Sequence, residues 1–544
     1  MTTDPGVLEI GPMRAEMQAA DYPESLGDFV RACARAQGDK LLGNWFDEGE
    51  TLSYRAFDQA ADRLADSLLR MGVRKGTHVA VMLPNVPAFP ITWVALGRIG
   101  AVMIPVNAAY TPEEIRFVLA DSDSTFLVID HQMLPRFEQV AASLPLIEGE
   151  RVIVHGGRVE GRSEWQALRE AGSPDFKAPA PVCRHDLLNI QYTSGTTGFP
   201  KGCMLTHDYW VLIGHYAARF RSNNIRIDNV LIWAPFFYMD PMWQFLMTMK
   251  LGATAHIARR ISLSSFYDWL EQYRINYCIF PEPALKAKPP GPQDKRLALT
   301  YVGIYGWRRE AREEVETRFD TVAREGYGMT EIGGAMIVPV SATAKARETT
   351  CGLAAPFREM RIVDDEGRDV GPGQEGELWV AGRSILLGYY KRPEANRDSF
   401  RGQWFRTGDV FRQDADGYFY IVGRIKDMIR RSGENIAARE VEAALNTLPE
   451  VQESAVVPVP DPLRREEVKA YLLLKEGLTS ADLPPERVIA HCRERLASFK
   501  LPRFISYVDD FPRTPSRKIQ KQNILRKDAD PHKGSWDSET AKWL

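Results

Sequence analysis

Residues 191–202 read QYTSGTTGFPKG and come directly after a short apolar run at residues 187–190. The next segment, residues 206–220, has the pattern of a helix, so the sequence predicts a loop that joins a buried strand to a helix. Glycines let the backbone of such a loop approach a ligand closely, and N–H groups at a helix start favour phosphate oxygens. The loop also carries several hydroxyl groups and the charge of Lys201. The stretch therefore predicts a phosphate-binding loop.

The Walker A loop of P-loop NTPases is the main alternative, and it requires the pattern G-x-x-x-x-G-K-[ST]. This chain has Pro200 in place of the second glycine and Gly202 in place of the magnesium-binding hydroxyl residue. The pattern therefore excludes a Walker A loop. It leaves either a phosphate loop of another kind or a glycine- and threonine-rich surface loop without a ligand.

The composition indicates a large globular enzyme. A chain of 544 residues exceeds one ordinary core, and the usual domain size suggests about three to four compact units, or fewer large ones. The net charge of −3 gives no reason to expect nucleic acid or an acidic membrane as a partner. The six cysteines are scattered without a CxxC pair, which argues against a zinc site or a disulfide framework and fits a reducing cytoplasm.

Neither a signal peptide nor a membrane span is predicted. Residues 1–18 contain acidic side chains and lack an apolar core, unlike a secretory signal. The most apolar segment, residues 89–106, is interrupted by Arg98 and Pro105. We therefore expect a cytoplasmic protein without membrane insertion.

Strands and helices alternate over residues 51–130 and 231–319, as parallel α/β layers require. From Arg358 the pattern changes to short β-segments separated by turn signals, and past residue 423 a compact unit of about 120 residues follows. The sequence thus predicts an α/β fold. Residues 1–423 form a large N-terminal domain of α/β layers with a small β-subdomain, and residues 424–544 form a small, mobile α+β domain.

Four further stretches accompany the loop: residues 325–331 (EGYGMTE), 404–409 (WFRTGD), 423–435 (GRIKDMIRRSGEN) and 512–521 (PRTPSRKIQK). Together and in this order, they resemble the motifs of the adenylate-forming family, which includes acyl-CoA synthetases, luciferases and peptide-synthetase adenylation domains. The resemblance covers essentially the whole chain. It implies an AMP-forming acid–thiol ligase that uses ATP, Mg²⁺ and CoA. The acid would become acyl-AMP with release of pyrophosphate, and the acyl group would then pass to CoA.

The resemblance also implies roles for individual residues at the phosphates. The catalytic residues would be Lys201, Thr330 and Lys518, and Glu331 would hold magnesium, a metal that prefers carboxylate and phosphate oxygens. The tyrosine ring of the EGYGMTE stretch offers a face on which adenine can stack. The nucleotide contacts would be Thr193, Ser194, Gly195, Thr196, Thr197, Gly198, Tyr327, Gly328, Thr330, Asp409, Arg424 and Lys518.

Asp409 is expected to bind the ribose, since a carboxylate can accept hydrogen bonds from both hydroxyls of a vicinal diol. The alternative is that Asp409 caps the turn before Asp416-Gly417. This would explain an aspartate but not the whole WFRTGD stretch.

The last two motifs imply a moving domain. By resemblance, Lys426 is the hinge and Gly433 lines the approach of the thiol, although a basic surface loop is the ordinary explanation of such a charge run. One active site must first bring Lys518 to the phosphates and later admit the thiol, which a rigid arrangement does not allow. Arg517 stands where the family commonly has glycine, and it either slows loop closure or adds a phosphate contact.

Three functions stay open: a CoA ligase, an adenylating enzyme that passes the acyl group to a carrier protein or amine, and a nucleotide-binding protein without turnover. The chain ends at Leu544, shortly after Lys518, which leaves no room for a carrier domain and favours free CoA. The expected partners are a small carboxylic acid, ATP and CoA, with no nucleic acid. A homodimer is a possible assembly.

The acid-binding segment is expected at residues 234–245, APFFYMDPMWQF, where the family often has a Phe-His pair and this chain has Tyr238 in the place of histidine. Phe237, Tyr238 and Trp243 offer aromatic faces beside the negative charge of Asp240, which would suit a cationic headgroup. The chain as a whole is similar to carnitine/crotonobetaine-CoA ligases. The alternatives are that the aromatic residues are core, that Asp240 is a helix cap, and that the acid is an uncharged aliphatic acid, as in fatty acid metabolism, or an aromatic one.

Overall fold

A computed structural model describes residues 4–193, 200–307, 309–431, 434–496, 498–513, 518–526 and 530–544. Up to residue 193 the elements are α1 (Pro5–Ala19), α2 (Leu26–Gln37), β1 (Leu41–Trp45), β2 (Glu50–Ser53), α3 (Tyr54–Arg70), β3 (His78–Met82), α4 (Ala88–Ile99), β4 (Val102–Pro105), α5 (Pro112–Asp121), β5 (Phe126–Asp130), α6 (Leu134–Glu138), β6 (Val152–His155), β7 (Ser163–Glu164), α7 (Trp165–Ala171) and β8 (Leu187–Thr193).

The next part completes the α/β layers. Its elements are β9 (Lys201–Thr206), α8 (His207–Arg221), β10 (Asn229–Ile232), α9 (Met239–Leu251), β11 (Thr254–Ile257), α10 (Phe266–Gln272), β12 (Tyr277–Ile279), α11 (Pro283–Ala287), β13 (Tyr301–Ile304), α12 (Arg309–Phe319), β14 (Val322–Met329), β15 (Gly333–Ile337), α13 (Thr343–Arg347) and β16 (Leu353–Ala354).

The remaining elements form the β-subdomain and the C-terminal part. They are β17 (Glu359–Val363), β18 (Glu375–Ala381), α14 (Pro393–Ser399), β19 (Phe400–Arg401), β20 (Trp404–Gln413), β21 (Phe419–Arg424), β22 (Met428–Arg431), β23 (Glu434–Ala437), α15 (Ala438–Leu445), β24 (Val451–Asp461), β25 (Arg465–Leu474), α16 (Pro485–Arg493), β26 (Phe504–Val508), α17 (Lys521–Arg526), β27 (Trp536–Asp537) and β28 (Lys542–Trp543).

Two large sheets build the N-terminal part. Their strand orders are β7-β6-β5-β3-β4-β8-β9 and β16-β15-β14-β13-β12-β10-β11-β1-β2. Strands β3 to β5 pair in parallel, and so do β10 to β13. Parallel neighbours need crossover connections, which the intervening helices supply. The predicted α/β layers are therefore confirmed.

The helices next to these sheets include two that are buried almost all round. Every residue of α4 is buried, and most of α8 is as well. A helix without a solvent face belongs to the inside of a large domain. Residues of both helices share one apolar cluster with residues of both sheets, so this helical layer and the two sheets form a common core.

The prediction that residues 191–202 join a strand to a helix is wrong. Strand β9 pairs antiparallel with β8, and on its other side Met204 N–H donates to the Gly388 carbonyl at 3.0 Å. Hydrogen bonds on both sides hold residues 201–206 extended, so helix α8 starts only after Thr206, whose Oγ1 accepts from Tyr209 N–H at 3.3 Å. The predicted phosphate loop thus comes between two antiparallel strands, and its residues 194–199 lie outside the described residues.

The β-subdomain and the C-terminal part have sheets of their own. The predicted β-subdomain has the order β17-β18-β20-β19, with β21 paired to β20. The C-terminal sheet has the order β23-β22-β25-β26-β27-β28, with β24 paired to β25, and its apolar clusters contain only residues after 428. A small domain with its own core is what the sequence predicts, although its boundary at residues 423 and 424 stays a prediction. No helix in the described ranges is long and apolar enough to cross a bilayer.

Candidate functional site

Two residues, Tyr327 and Arg424, contact the carboxylate of Asp409. Strands β20 and β21 place Asp409 directly opposite Arg424. Tyr327 OH donates to Asp409 Oδ2 at 2.6 Å, and Arg424 Nε lies 3.0 Å from Oδ1. The Asp409 side chain is 3% exposed, and its Oδ1 accepts no aligned hydrogen bond from the described residues. Asp409 is thus an enclosed carboxylate beside an aromatic ring and a guanidinium, groups whose chemistry fits the ribose and base of a nucleotide.

The alternative that Asp409 caps the following turn is wrong. Asp414 does so instead, because its Oδ1 accepts from the N–H groups of Asp416 and Tyr418 at 3.0 and 2.9 Å. Burial raises the pKa of Asp409, and the charge of Arg424 and the hydroxyl of Tyr327 oppose this rise. The two partners therefore favour the ionised form that a diol-binding carboxylate needs.

We expect Asp409→Asn to raise the KM for ATP about ten- to a hundredfold, since a hydrogen bond to a charged group contributes about 1.5–3 kcal/mol. Pyrophosphate release with ATP and with 3′-deoxy-ATP measures the effect, and wild type should discriminate between the two nucleotides more strongly than the variant. Asp369→Asn is a control, since Asp369 forms an exposed pair with Arg361 at 2.6 Å in the same subdomain. Equal use of both nucleotides by wild type would contradict the ribose assignment.

A second group of residues surrounds Tyr389. Its hydroxyl donates to Glu331 Oε1 at 2.8 Å, and Lys201 Nζ lies 4.6 Å from the centroid of its ring. Glu331 is 7% exposed. The lysine and the carboxylate that were assigned to the phosphates therefore lie on either side of one tyrosine, next to the hairpin loop.

The residues present fit a magnesium ion that is shared with the nucleotide. Among the described residues, no group of three or more His, Cys, Asp or Glu side chains could hold a metal. Mg²⁺ in nucleotide sites is usually held by one or two carboxylates together with phosphate oxygens. Glu331 would supply the carboxylate, and the ion would neutralise charge on the phosphates.

The turn after β14 is packed closely. Tyr209 OH donates to the Thr330 carbonyl at 3.0 Å. A Cβ atom at Gly328 would lie 2.5 Å from the Gly333 carbonyl oxygen on β15. Glycine is therefore required at position 328 by the close approach of the neighbouring strand, in addition to any contact with the nucleotide.

The predicted acid-binding segment is anchored by side chains from the sheet that contains β3 and β8. Gln191 Nε2 donates to the Phe237 carbonyl at 2.6 Å. Asn85 Nδ2 donates to the Ala234 carbonyl at 2.9 Å, while its Oδ1 accepts from Phe236 N–H at 2.8 Å. These roles of Gln191 and Asn85 are not predictable from the sequence, because a lone buried amide has no pattern that reveals its partner.

Asp240 is not the helix cap that the alternative proposed. Helix α9 begins at Met239 with Tyr238 as N-cap and no capping side chain. The Asp240 Oδ1 instead accepts from Trp243 Nε1 at 3.0 Å. Its side chain is exposed, yet burial raises its pKa. The Asp240 side chain therefore reaches water while protein atoms surround it.

Two further residues, Tyr305 and Arg221, lie near Asp240. Tyr305 is 41% exposed, although burial raises its pKa and the charges of Arg221 and Asp240 act on it. Arg221 lies with its guanidinium carbon 4.6 Å from the ring centroid of Trp243. We call the space next to Asp240, Trp243, Arg221 and Tyr305 the acyl cavity, after the acid-binding role that the sequence predicts for residues 234–245.

Lys518, which belongs to the C-terminal part, lies near this cavity. It is exposed, and its charge lowers the pKa of Asp240, against the larger effect of burial. Lys426 lies in a short 3₁₀ turn, Ile425–Asp427, directly after β21. The assigned residues Ser194, Gly195, Thr196, Thr197, Gly198 and Gly433, as well as Arg517, lie outside the described residues.

Comparison with known proteins gives the family. The model of the AMP-binding enzyme family matches residues 29–390, and that of the AMP-binding enzyme C-terminal domain matches residues 440–518. Crotonobetaine/carnitine–CoA ligases of Salmonella agona and Salmonella typhimurium are 32% identical over 489 residues, which cover 87% of this chain and 92% of each relative.

Solved structures share the fold. The anthranilate CoA ligase AuaEII in complex with anthranoyl-AMP has a TM-score of 0.83 at 23% identity, over 94% of this chain and 98% of that one. The o-succinylbenzoate CoA synthetase of Bacillus subtilis with ATP and magnesium has a TM-score of 0.78 at 24% identity, over 92% and 99%. The family that the five motifs predict is thus confirmed, and this chain belongs to the adenylate-forming AMP-binding enzymes.

Proposed function

We infer that this enzyme is an AMP-forming acid–thiol ligase that uses ATP, Mg²⁺ and CoA, and we propose that its acid carries a cationic group. In the first step the carboxylate of the acid attacks the α-phosphorus of ATP and expels pyrophosphate. In the second step the thiol of CoA attacks the acyl carbonyl and expels AMP. Membership of the AMP-binding enzyme family supports the reaction class, and relatives named crotonobetaine/carnitine–CoA ligase support the cationic acid.

The residues of the site have separate tasks in this proposal. Asp409 binds the ribose hydroxyls, and Tyr327 lies against the base. Glu331 holds magnesium, while Lys201 and Lys518 neutralise charge at the phosphates. Reactions of this kind need positioning and charge stabilisation more than covalent chemistry by the protein.

The structural observation that supports a cationic acid as the substrate is the Asp240 carboxylate. It faces the acyl cavity and accepts one hydrogen bond, from Trp243. The charges of Lys518 and Arg221 lower its pKa, against the larger effect of burial. A partly enclosed carboxylate is costly, and a cation on the substrate would offset part of that cost.

The aromatic side chains near Asp240 would contribute unequally to binding a cationic group. Arg221 covers one face of Trp243, so this ring acts mainly through its N–H group on Asp240. Phe237 and Tyr238 lie against each other with ring centroids 4.5 Å apart. Their rings and that of Tyr305 are the faces that remain for a quaternary ammonium group.

A matched pair of acids tests this proposal. 4-(Trimethylammonio)butanoate and 5,5-dimethylhexanoate have the same shape and differ in the charge of the terminal group. We expect CoA-dependent AMP release to show at least about a tenfold higher kcat/KM for the charged acid, since a desolvated cation contact contributes about 2 kcal/mol. Asp240→Asn should remove most of that preference.

Asp268→Asn is the control, since Asp268 is an exposed first-turn aspartate of the neighbouring helix α10. A preference for 5,5-dimethylhexanoate, or a charge preference that Asp240→Asn leaves unchanged, would point to an uncharged acid instead. AMP release that does not need CoA would contradict the ligase itself. A cytoplasmic location and a homodimer stay predictions.

A further inference from the structure

A cavity of about 590 Å³ lies between helix α1 and the β-subdomain. One face of α1 lines it, together with residues of β16, β17 and β20 and of the turn that leads into β21. None of the described residues assigned to the phosphates, the ribose, magnesium or the acid lines this cavity. Its volume is in the range of pockets that hold small molecules. We call it the α1 cavity.

The lining of the α1 cavity is mainly apolar. Its larger apolar side chains are those of Val7, Ile10, Leu353, Met360, Trp404 and Phe419. Apolar surface that faces water is unfavourable, and a ligand with an apolar body would cover it. The cavity therefore suits a ligand that is apolar over most of its length.

Helix α1 is fixed to the rest of the protein near both of its ends. Tyr418 OH donates to Oδ1 of Asp4, the N-cap residue of α1, at 2.6 Å. Arg219 Nη2 donates to Glu16 Oε2, in the last turns of α1, at 3.0 Å. These contacts set the position of α1 and with it the shape of the cavity.

Arg14 brings a positive charge into this apolar lining. Its Nη2 has a long contact of 3.4 Å with the Arg358 carbonyl, and its Nε is enclosed without an acceptor among the described residues. Burial lowers the pKa of Arg14, and no carboxylate among the described residues opposes this effect. A partly buried guanidinium without an anion is unfavourable, and a bound anion would offset that cost.

The other charged residues of the lining favour an anion with a single charge. The guanidinium of Arg358 already donates to main-chain carbonyls, for example that of Ile332 at 2.8 Å. Asp416 pairs with Lys345 at 3.3 Å, and Glu359 is exposed. Two acidic side chains in the lining disfavour a doubly charged phosphate. A carboxylate has one charge, and its planar shape matches a guanidinium.

We propose that the α1 cavity is a second, non-catalytic binding site for a monocarboxylate with an apolar body, which Arg14 holds by its carboxylate. The proposal goes beyond the ligase reaction. It depends on residues of α1 and the β-subdomain and not on the identity of the acid that the enzyme activates.

Octanoate is the probe, and isothermal titration calorimetry with the full chain measures its Kd. We expect octanoate to bind at least about tenfold more tightly than octanamide, since a hydrogen bond to a charged group is among the stronger ones. From butanoate to octanoate, the affinity should rise about three- to fourfold per methylene, as expected for the burial of apolar surface.

Two variants change the cavity in different ways. Arg14→Met removes the charge and should weaken octanoate binding at least about tenfold. Gly11→Leu fills the cavity from the middle of α1, where an added Cβ meets no atom within 4 Å and leucine favours the helix more than glycine does. This variant should abolish octanoate binding without lowering the Tm. Both variants should keep the wild-type kcat/KM for CoA-dependent AMP release.

The matched controls are Arg35→Met and Ala19→Leu, and both should bind octanoate as wild type does. Arg35 is an exposed arginine in the last turn of α2, and Ala19 is the exposed last residue of α1 and does not line the cavity. Octanoate binding that survives both Arg14→Met and Gly11→Leu belongs to the catalytic site or to another surface and overturns the proposal. Equal binding of octanoate and octanamide also overturns it. So does tighter binding of octylammonium, which would assign the cavity to cations through Glu359.

Discussion

Lys518→Ala should lower the rate of acyl-AMP formation by at least about a hundredfold, because a preorganised charge at a transition state commonly contributes about 3–4 kcal/mol. We propose that the lysine is needed at the α-phosphate in the first step only. In the structure its charge acts on Asp240 of the predicted acid-binding segment. Thioester formation from supplied acyl-AMP and CoA should therefore stay close to the wild-type rate.

The two half-reactions are measured separately, the first as pyrophosphate release without CoA and the second as thioester formation from isolated acyl-AMP. Lys542→Ala is a matched control, since Lys542 is an exposed lysine of the same C-terminal part on strand β28. It should leave both half-reactions unchanged. A similar loss in both half-reactions of Lys518→Ala would show that this lysine has no specific role in adenylation.

Arg312→Met should lower the free energy of unfolding by about 3–5 kcal/mol at pH 8, because it leaves a buried carboxylate without its partner. Arg312 Nη2 lies 2.6 Å from Glu325 Oε2, and the two side chains are 2% and 9% exposed. Glu325 also accepts the N–H of Gly306 at 2.5 Å, next to Tyr305 of the acyl cavity. The variant should therefore also bind its acid more weakly.

The loss in Arg312→Met should depend on pH. Burial raises the pKa of Glu325 to about 7, and Arg312 opposes this rise, so the variant should have a still higher pKa. A carboxyl with a raised pKa binds more protons in the folded than in the unfolded state, so the variant regains stability as the pH falls from 8 toward 5. Urea unfolding followed by tryptophan fluorescence at pH 8, 7 and 6 measures this trend.

Arg309→Met on the same helix is the control. Arg309 and Glu313 form an exposed pair at 2.9 Å, with side chains 60% and 43% exposed. Such surface pairs contribute about 0–1 kcal/mol, with little dependence on pH in this range. A loss in Arg312→Met as small as in Arg309→Met, or one that grows as the pH falls, would contradict the buried-pair assignment.

The sequence by itself determined the family, the α/β layers and the order of the functional segments. These depend on local patterns, namely the alternation of apolar runs and the residues of five short motifs. Each motif is recognisable within a few residues. Where a local pattern was incomplete, the prediction was wrong. Residues 201–206 look like the approach to a helix, but they are a strand because β8 and the segment at Gly388 provide hydrogen-bond partners on both sides.

Only the tertiary structure decided which side chains meet. Tyr327 and Asp409 are 82 positions apart, and the pairing of β20 with β21 adds Arg424 to them. Asp240 contacts an indole and not the helix end, and Arg221 lies over the ring of Trp243. Such contacts are set by strand register and by the packing of helices between sheets, which involve residues far apart in the chain. No pattern within a single segment carries that information.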